Sequence, residues 1–421
     1  MMEDLSYLDL YSEKKNPESG AWYAYERSAM EAAHNGTADL DRLLATEYGR
    51  LMTESLELKL RFNHPKGCEE AVRYLKEFGV RAEIHDDGEF FSRWGMFLPE
   101  DVERDSPEKL PLIIVNGGSP EQTAFDFGFY KICKKERFLY MSCRNHNWEH
   151  ISGLLEDVTG MYPVDRERVY ICGFSYMGYQ ATSCFTHLPH KFAAAAPCGN
   201  DIFRDKDNFL NPYTQDELRS LRHHLVPFMQ IVGASEASNF VPLNDWHIRA
   251  HWGNPKRPET LPAPWRDPRD IQALDPTINP IRRRPDGTIQ ATPPSAMPAP
   301  PEGMDRHIWM LSRLNKRLEL LRCAPRDMEK CLSYLDKPED ELHHVLGFYG
   351  DEEAILQIHG LKHYFVNIYN EDGINAFRYV CLDNYPHFVP PAGGELLWEF
   401  FRQFRRDRST GRIICDAYQA E

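Results

Sequence analysis

Ser175 lies in the stretch Asp-Arg-Glu-Arg-Val-Tyr-Ile-Cys-Gly-Phe-Ser-Tyr-Met-Gly-Tyr-Gln, residues 165–180. Val169 to Cys172 is a short apolar, partly β-branched run that reads as a buried strand, and Tyr176 onward has the composition of a helix. A serine on the turn between such elements is pushed out of the sheet with a helix N-terminus behind it, as a nucleophile elbow requires. Ser175 is therefore the candidate nucleophile. The usual Gly-x-Ser-x-Gly pattern keeps two flanking positions small because strand and helix approach closely there. Gly173 satisfies the first position, whereas Met177 occupies the second and Gly178 follows one residue late. These six residues alone would also fit a plain glycine turn, so the flanks decide.

Leu110 to Val115 is continuous and apolar, as a strand buried on both faces should be, and it ends in Asn116-Gly117-Gly118-Ser119-Pro120. Glycines at that point let backbone N–H groups face a cavity, which an oxyanion hole requires. Glu121 to Lys134 reads as a helix, Phe138 to Cys143 as a further buried strand, and Trp148 to Met161 as a second helix. Arg144-Asn-His-Asn follows the Phe138 strand, at the edge where open parallel sheets place ligands, so Arg144 could meet an anionic part of a substrate. Strands alternating with helices imply an α/β architecture, a mostly parallel sheet covered on both faces. Val80 to His85 and Phe91 to Leu98 form alternating runs around Asp86-Asp87-Gly88, the pattern of a hairpin.

The chain has 421 residues, 42% of them hydrophobic, enough for one large domain with insertions or for two domains. A net charge of −15 disfavours nucleic acid and anionic membranes as partners. The N-terminus has neither a basic start nor an apolar stretch, and no run of 18 apolar residues occurs. Ten scattered cysteines, with no Cys-x-x-Cys pair, fit free thiols in a reducing cytoplasm. The expectation is a soluble cytoplasmic protein. Residues 1–80 carry no identifiable chemistry; helices over 39–60 and 68–78 could cover one edge of the core or form a homo-oligomer contact.

The sequence resembles the α/β-hydrolase superfamily over most of residues 90–408. The run Trp94-Gly-Met-Phe-Leu-Pro99, then Lys109 to Gly118, then Asp165 to Gly178, is similar to the esterase branch that contains feruloyl esterases and polyhydroxybutyrate depolymerases. Phe174-Ser175-Tyr176 with Gly178-Tyr179 also resembles the elbow of prolyl oligopeptidases. Asn116 stands where these families often have histidine, and Met177 where they have glycine. The resemblance implies an α/β-hydrolase fold with an inserted cap, and a triad in the order serine, acid, histidine.

By that order, His387, on the loop after the late strand Phe377 to Leu382 and ahead of the closing helix Gly394 to Arg405, is where the family carries its base. Leu225 to Val232 reads as another buried strand, and Gly233-Ala-Ser-Glu236 follows where the family has Gly-x-x-Asp. Glu236 is thus the candidate acid, with Asp245 as fallback on the same loop and Asp201 and Asp383 behind it. The resemblance assigns the oxyanion hole to the N–H of Tyr176 and one from Gly118 or Ser119.

Between acid and base lies an unusual block. From Trp252 to Pro301 there are 13 of the 30 prolines, a composition that favours extended or irregular chain, and Met304 to Leu346 turns helical. Inserted at that point, the block should fold over the active-site edge as a cap, with Trp252, Trp265 and Trp309 available to a bulky acyl group. The expected division is a helical extension over 1–80, the first part of the hydrolase core over 81–250, the cap over 251–345 and the last strands and closing helix over 346–421.

His223-His224 and His343-His344 lack a carboxylate or cysteine at ligand spacing, so no metal is expected. No phosphate loop or dinucleotide fingerprint occurs, and no cofactor is implied. The expected function is cleavage of a small-molecule carboxylic ester through an acyl-enzyme. A serine oligopeptidase of the same mechanism, or a hydrolase fold kept as a non-catalytic binding protein, are the alternatives.

Overall fold

The computed structural model describes residues 40–62, 67–85, 93–143, 148–199, 215–234, 282–283, 289–290, 306–385 and 388–415. In chain order the elements are helices α1 (Leu40–Leu44), α2 (Glu47–Phe62) and α3 (Gly67–Glu77), then strands β1 (Val80–His85), β2 (Trp94–Pro99) and β3 (Leu110–Asn116). Helices α4 (Pro120–Thr123) and α5 (Phe129–Glu136) lead to β4 (Leu139–Cys143), α6 (Trp148–Met161) to β5 (Val164–Phe174), and α7 (Tyr176–His187) to β6 (Ala194–Cys198). After α8 (Gln215–His223) comes β7 (Phe228–Gly233), then the two-residue strands β8 (Arg282–Arg283) and β9 (Ile289–Gln290). Helices α9 (Arg306–Leu320), α10 (Met328–Ser333) and α11 (Glu341–Leu346) precede β10 (Glu352–Ile358), β11 (Leu361–Tyr369) and β12 (Asn375–Leu382). The chain closes with α12 (Gly393–Phe401), β13 (Phe404–Arg406) and β14 (Ile413–Cys415).

Ten strands form one sheet in the order β1-β2-β4-β3-β5-β6-β7-β12-β11-β10. The six from β4 to β12 in that order run parallel, and both margins are antiparallel. This is the α/β-hydrolase order, with the strand that carries the elbow at its centre. The β1–β2 hairpin expected from sequence is present, in the register Val80 to Pro99 through His85 to Trp94. The margin strands β10 and β11 form a second hairpin that periodicity did not single out. Strand β10 has one neighbour among the described strands, and it exposes Ile355 and Leu356.

Alternation along β5 sends side chains to opposite faces of the sheet. Tyr170 stacks on Phe401 of α12 at 4.9 Å, while Gly173 abuts α7 on the other face. Helices therefore cover both sides. Strand β6, Ala-Ala-Ala-Pro-Cys, is poor in strand-forming residues, yet it lies between β5 and β7 with every residue buried, where small side chains let the covering helices close in.

The single helix expected over 121–134 is split in the structure. Phe127 and Gly128 take positive φ (61° and 76°) between α4 and α5, and a Cβ on Gly128 would lie 2.3 Å from the Pro391 carbonyl oxygen. Gly128 turns the chain between the two helices, and its missing Cβ leaves room for the chain ahead of α12. Helices α2 and α3 pack on this region through Phe62 on Phe125 (4.9 Å) and Phe78 on Tyr130 (4.8 Å), so they cover one edge of the core. The helices from 306 to 346, grouped with the cap on sequence, bury Met310, Leu311, Leu314, Leu318 and Leu346 in the same core as the sheet. Most of 251–305 lies outside the described residues.

Candidate active site

Ser175 joins β5 to α7 with φ 56° and ψ −123°, a backbone conformation that an L-residue adopts only when its surroundings impose it. Three contacts impose it here. The Ser175 N–H donates to the Cys198 carbonyl of β6 at 2.9 Å, and its own carbonyl accepts from the N–H of Gly178 at 3.0 Å and of Tyr179 at 3.3 Å. A Cβ at Gly173 would sit 2.4 Å from the Met177 carbonyl oxygen, so glycine is needed at that position. The backbone of residue 177, rather than its side chain, makes this close approach, and the turn closes with Met177 in place.

Strand β3 neighbours β5, and its last residue, Asn116, pairs with Gly173. Gly118 and Ser119 consequently leave the sheet beside the elbow. Their N–H groups, and that of Tyr176 at the start of α7, make no hydrogen bond among the described residues, whereas the Gly117 N–H is spent on the Cys143 carbonyl at 3.1 Å. Asn116 is 1% exposed, and neither its amide nitrogen nor its amide oxygen has a hydrogen-bond partner among the described residues. Leaving such atoms unpaired costs about 1–3 kcal/mol, so a buried amide of this kind calls for an explanation. Periodicity had no means of finding it, since an asparagine before two glycines reads as part of a turn.

His387, Glu236, Arg144, Trp252, Trp265, Asp245 and Asp201 lie outside the described residues. The elements that lead to the base and the acid are described. Strand β12 runs parallel to β7 with Leu382 beside Gly233, and the Ala234 N–H donates to the Leu382 carbonyl at 2.8 Å. Strands β7 and β12 thus end at the sheet edge where β5 delivers Ser175. Asp383, a minor candidate for the acid, is ion-paired with Arg42 at 3.0 Å. Trp309 lies half-buried on α9 against the core, with the Arg313 guanidinium 4.7 Å from its ring centre.

The N-terminal helices reach this region as well. Tyr48 of α2 is fully buried, packed against Tyr385 and His363, and burial raises its phenol far above the ordinary range. Burial also lowers His363 to about 4, with its Nδ1 next to the Leu361 carbonyl at 2.9 Å. Among the described residues there is no cluster of three or more His, Cys, Asp or Glu side chains able to hold a metal, and no helix is long and apolar enough to cross a membrane.

No family model and no curated protein matches the sequence. Among solved structures the chain is similar to an acetyl xylan esterase from Aspergillus awamori, at 8% identity over 76% of this chain and 98% of that one, TM-score 0.39. It is similar to the feruloyl esterase module from Clostridium thermocellum at 13% identity over 37% and 68% of the two chains, TM-score 0.29. A thermostable esterase is matched at 16% identity over 36% of this chain, TM-score 0.27, and 46% of that enzyme's length is spanned. Strand order and the elbow, rather than these similarities, identify the fold.

Proposed function

We propose that this chain is a serine hydrolase that cleaves a carboxylic ester through an acyl-enzyme. The observation that carries the reading is the backbone of Ser175, held at positive φ between the central strand β5 and helix α7. Conformations of that kind persist where a side chain must be presented, and here the side chain is a hydroxyl at the ligand-binding edge of an α/β sheet. The Ser175 Oγ attacks the ester carbonyl while His387 accepts its proton, and Glu236 holds the imidazole and stabilises its charged form. The same histidine then returns the proton to the departing alcohol, and water repeats the cycle on the acyl-enzyme.

The tetrahedral oxyanion is met by the N–H of Tyr176 and by that of Gly118 or Ser119, which is consistent with their lack of partners among the described residues. Each such donor contributes about 3–4 kcal/mol in well-studied cases. The Asn116 amide, with both polar atoms unsatisfied, is available to the same substrate. The test is labelling of the intact protein with a fluorophosphonate, followed by turnover of an aryl-ester panel beside short peptide amides. Adduct at Ser175 with ester turnover is expected. Absence of both would sink the reading, and amide turnover exceeding ester turnover would make the protein a peptidase.

A further inference from the structure

At the end of the sheet away from Ser175, a cleft of about 360 Å³ is lined by Glu156, Arg166, His190, Lys191 and His224 together with residues 406–411. Arg406, 3% exposed, forms its floor. Its Nε donates to the Phe192 carbonyl at 2.8 Å, Nη1 to that of Gly411 at 2.6 Å and Nη2 to that of Leu225 at 2.7 Å. All three acceptors are uncharged, and no carboxylate among the described residues pairs with this guanidinium. A guanidinium carries five N–H groups, so two remain. Buried charges are ordinarily paired, and burial alone holds Arg406 down to about 10.

The carboxylates of the cleft are held by neighbours within it. Glu156 is shared between Lys191 and Arg166, and Asp407 accepts from the N–H and hydroxyl of Ser409 (2.8 and 2.6 Å) and the hydroxyl of Thr410 (3.0 Å). Four cations, Arg166, Lys191, Arg406 and Arg408, face two carboxylates, Glu156 and Asp407, which leaves a surplus of two positive charges with the histidines neutral. The chain as a whole carries −15, so this concentration of positive charge runs against its composition. The rings of His190 and His224 are 6.0 Å apart, and His224 lies against the Gly411 backbone. Partial burial, reinforced by Lys191 and Arg406 at His190 and by Arg406 and His223 at His224, keeps both imidazoles below their usual range, against the Gly411 backbone, which favours the charged form of His224.

We propose that this cleft is a binding site for a phosphate dianion, either inorganic phosphate or the phosphate of a small phosphomonoester. Two surplus charges match a dianion, whereas a monocarboxylate would neutralise one of them. The cleft is larger than a phosphate, leaving room for a small organic group beside it. The two spare N–H groups of Arg406 supply a planar fork at the floor, with Lys191, Arg408 and the imidazole of His224 around the rim. The site is independent of the hydrolytic reading, since it lies at the opposite end of β5 from Ser175 and none of its residues is a proposed catalytic group.

The test is isothermal titration of the full chain with inorganic phosphate and with glycerol 3-phosphate, against acetate and chloride at matched ionic strength. Saturable one-to-one binding with Kd of about 1 mM or tighter is expected. Arg408→Gln and His224→Gln should each weaken it about tenfold, and NMR titration of the histidines should show both imidazole pKa values rising when phosphate is bound. Arg406→Gln removes the floor but also releases three carbonyls and can unfold the hairpin, so the two rim variants carry the test. No saturable binding, acetate binding as tightly as phosphate, or binding indifferent to both rim variants would each overturn the proposal.

Discussion

The ring of Tyr48 meets that of Tyr385 nearly edge-on, with centroids 5.4 Å apart and both side chains buried. Tyr48 belongs to α2, and Tyr385 stands two residues before the proposed base. Helix α2 thus supports the exit from β12, helped by the ion pair of Arg42 of α1 with Asp383.

Tyr48→Ala should lower kcat for ester hydrolysis more than tenfold with little change in KM, measured well below the variant's melting temperature. The cavity should also cost about 3–5 kcal/mol of stability in urea denaturation. Tyr48→Phe keeps the ring contact and should restore kcat. If the alanine variant keeps full kcat while losing stability, Tyr48 is core packing only.

Ser175→Ala and Ser175→Gly should both reduce ester turnover at least about a thousandfold, because the nucleophile and its base act as a unit. Their stabilities should differ. Glycine accepts φ 56° without strain, so Ser175→Gly should be more stable than Ser175→Ala by about 1 kcal/mol, after the extra freedom it gives the unfolded chain. Equal stabilities would mean that the backbone at the elbow is relaxed.

Asn116→Leu replaces two unsatisfied polar atoms with an apolar group of similar size. Denaturation midpoints should rise, by about 1 kcal/mol or more in free energy, while kcat/KM falls about tenfold. A stabilised variant with undiminished turnover would remove Asn116 from the site.

His363 gives a pH signature. Its folded pKa, about 4, lies below the unfolded value near 6.5, so the unfolded chain binds more protons between these limits. Its contribution is complete above about pH 6.5, diminishes as pH falls and is gone below about 4, a total on the order of 3 kcal/mol. His363→Phe should flatten this part of the stability profile. An unchanged slope between pH 6.5 and 4.5 would place the titration on another group.

Legibility in the sequence followed how local the cause was. Trp148 to Met161 is a helix with the boundaries its periodicity implies, and the run around Val169 is a strand because a buried parallel strand is apolar on both faces. The split at Phe127–Gly128 was hidden because the segment it makes room for, at Pro391, is more than 250 residues away in the chain. Strand β6 was hidden because alanines say little about strand formation until their neighbours are known. The elbow was readable from Gly173 and Ser175, yet the importance of Asn116 lies in what it fails to touch, which no spacing rule encodes. In the sequence His224 reads only as half of a histidine pair; its bearing comes from Arg406, brought beside it by the β13–β14 hairpin.

The open margin of the sheet has a consequence for the handling of this protein. Along β10 one row of backbone N–H and carbonyl groups has no neighbouring strand among the described residues, and Ile355 and Leu356 beside it are 43% and 47% exposed. Such an edge is a template on which a second molecule can add a strand, the first step towards aggregation. Glu352 and Glu353 at the start of the strand, within a chain of charge −15, place like charges opposite one another in any such stack. Colloidal stability should therefore depend on the ionisation of carboxylates, with mild acid or high salt weakening the repulsion that keeps the edges apart.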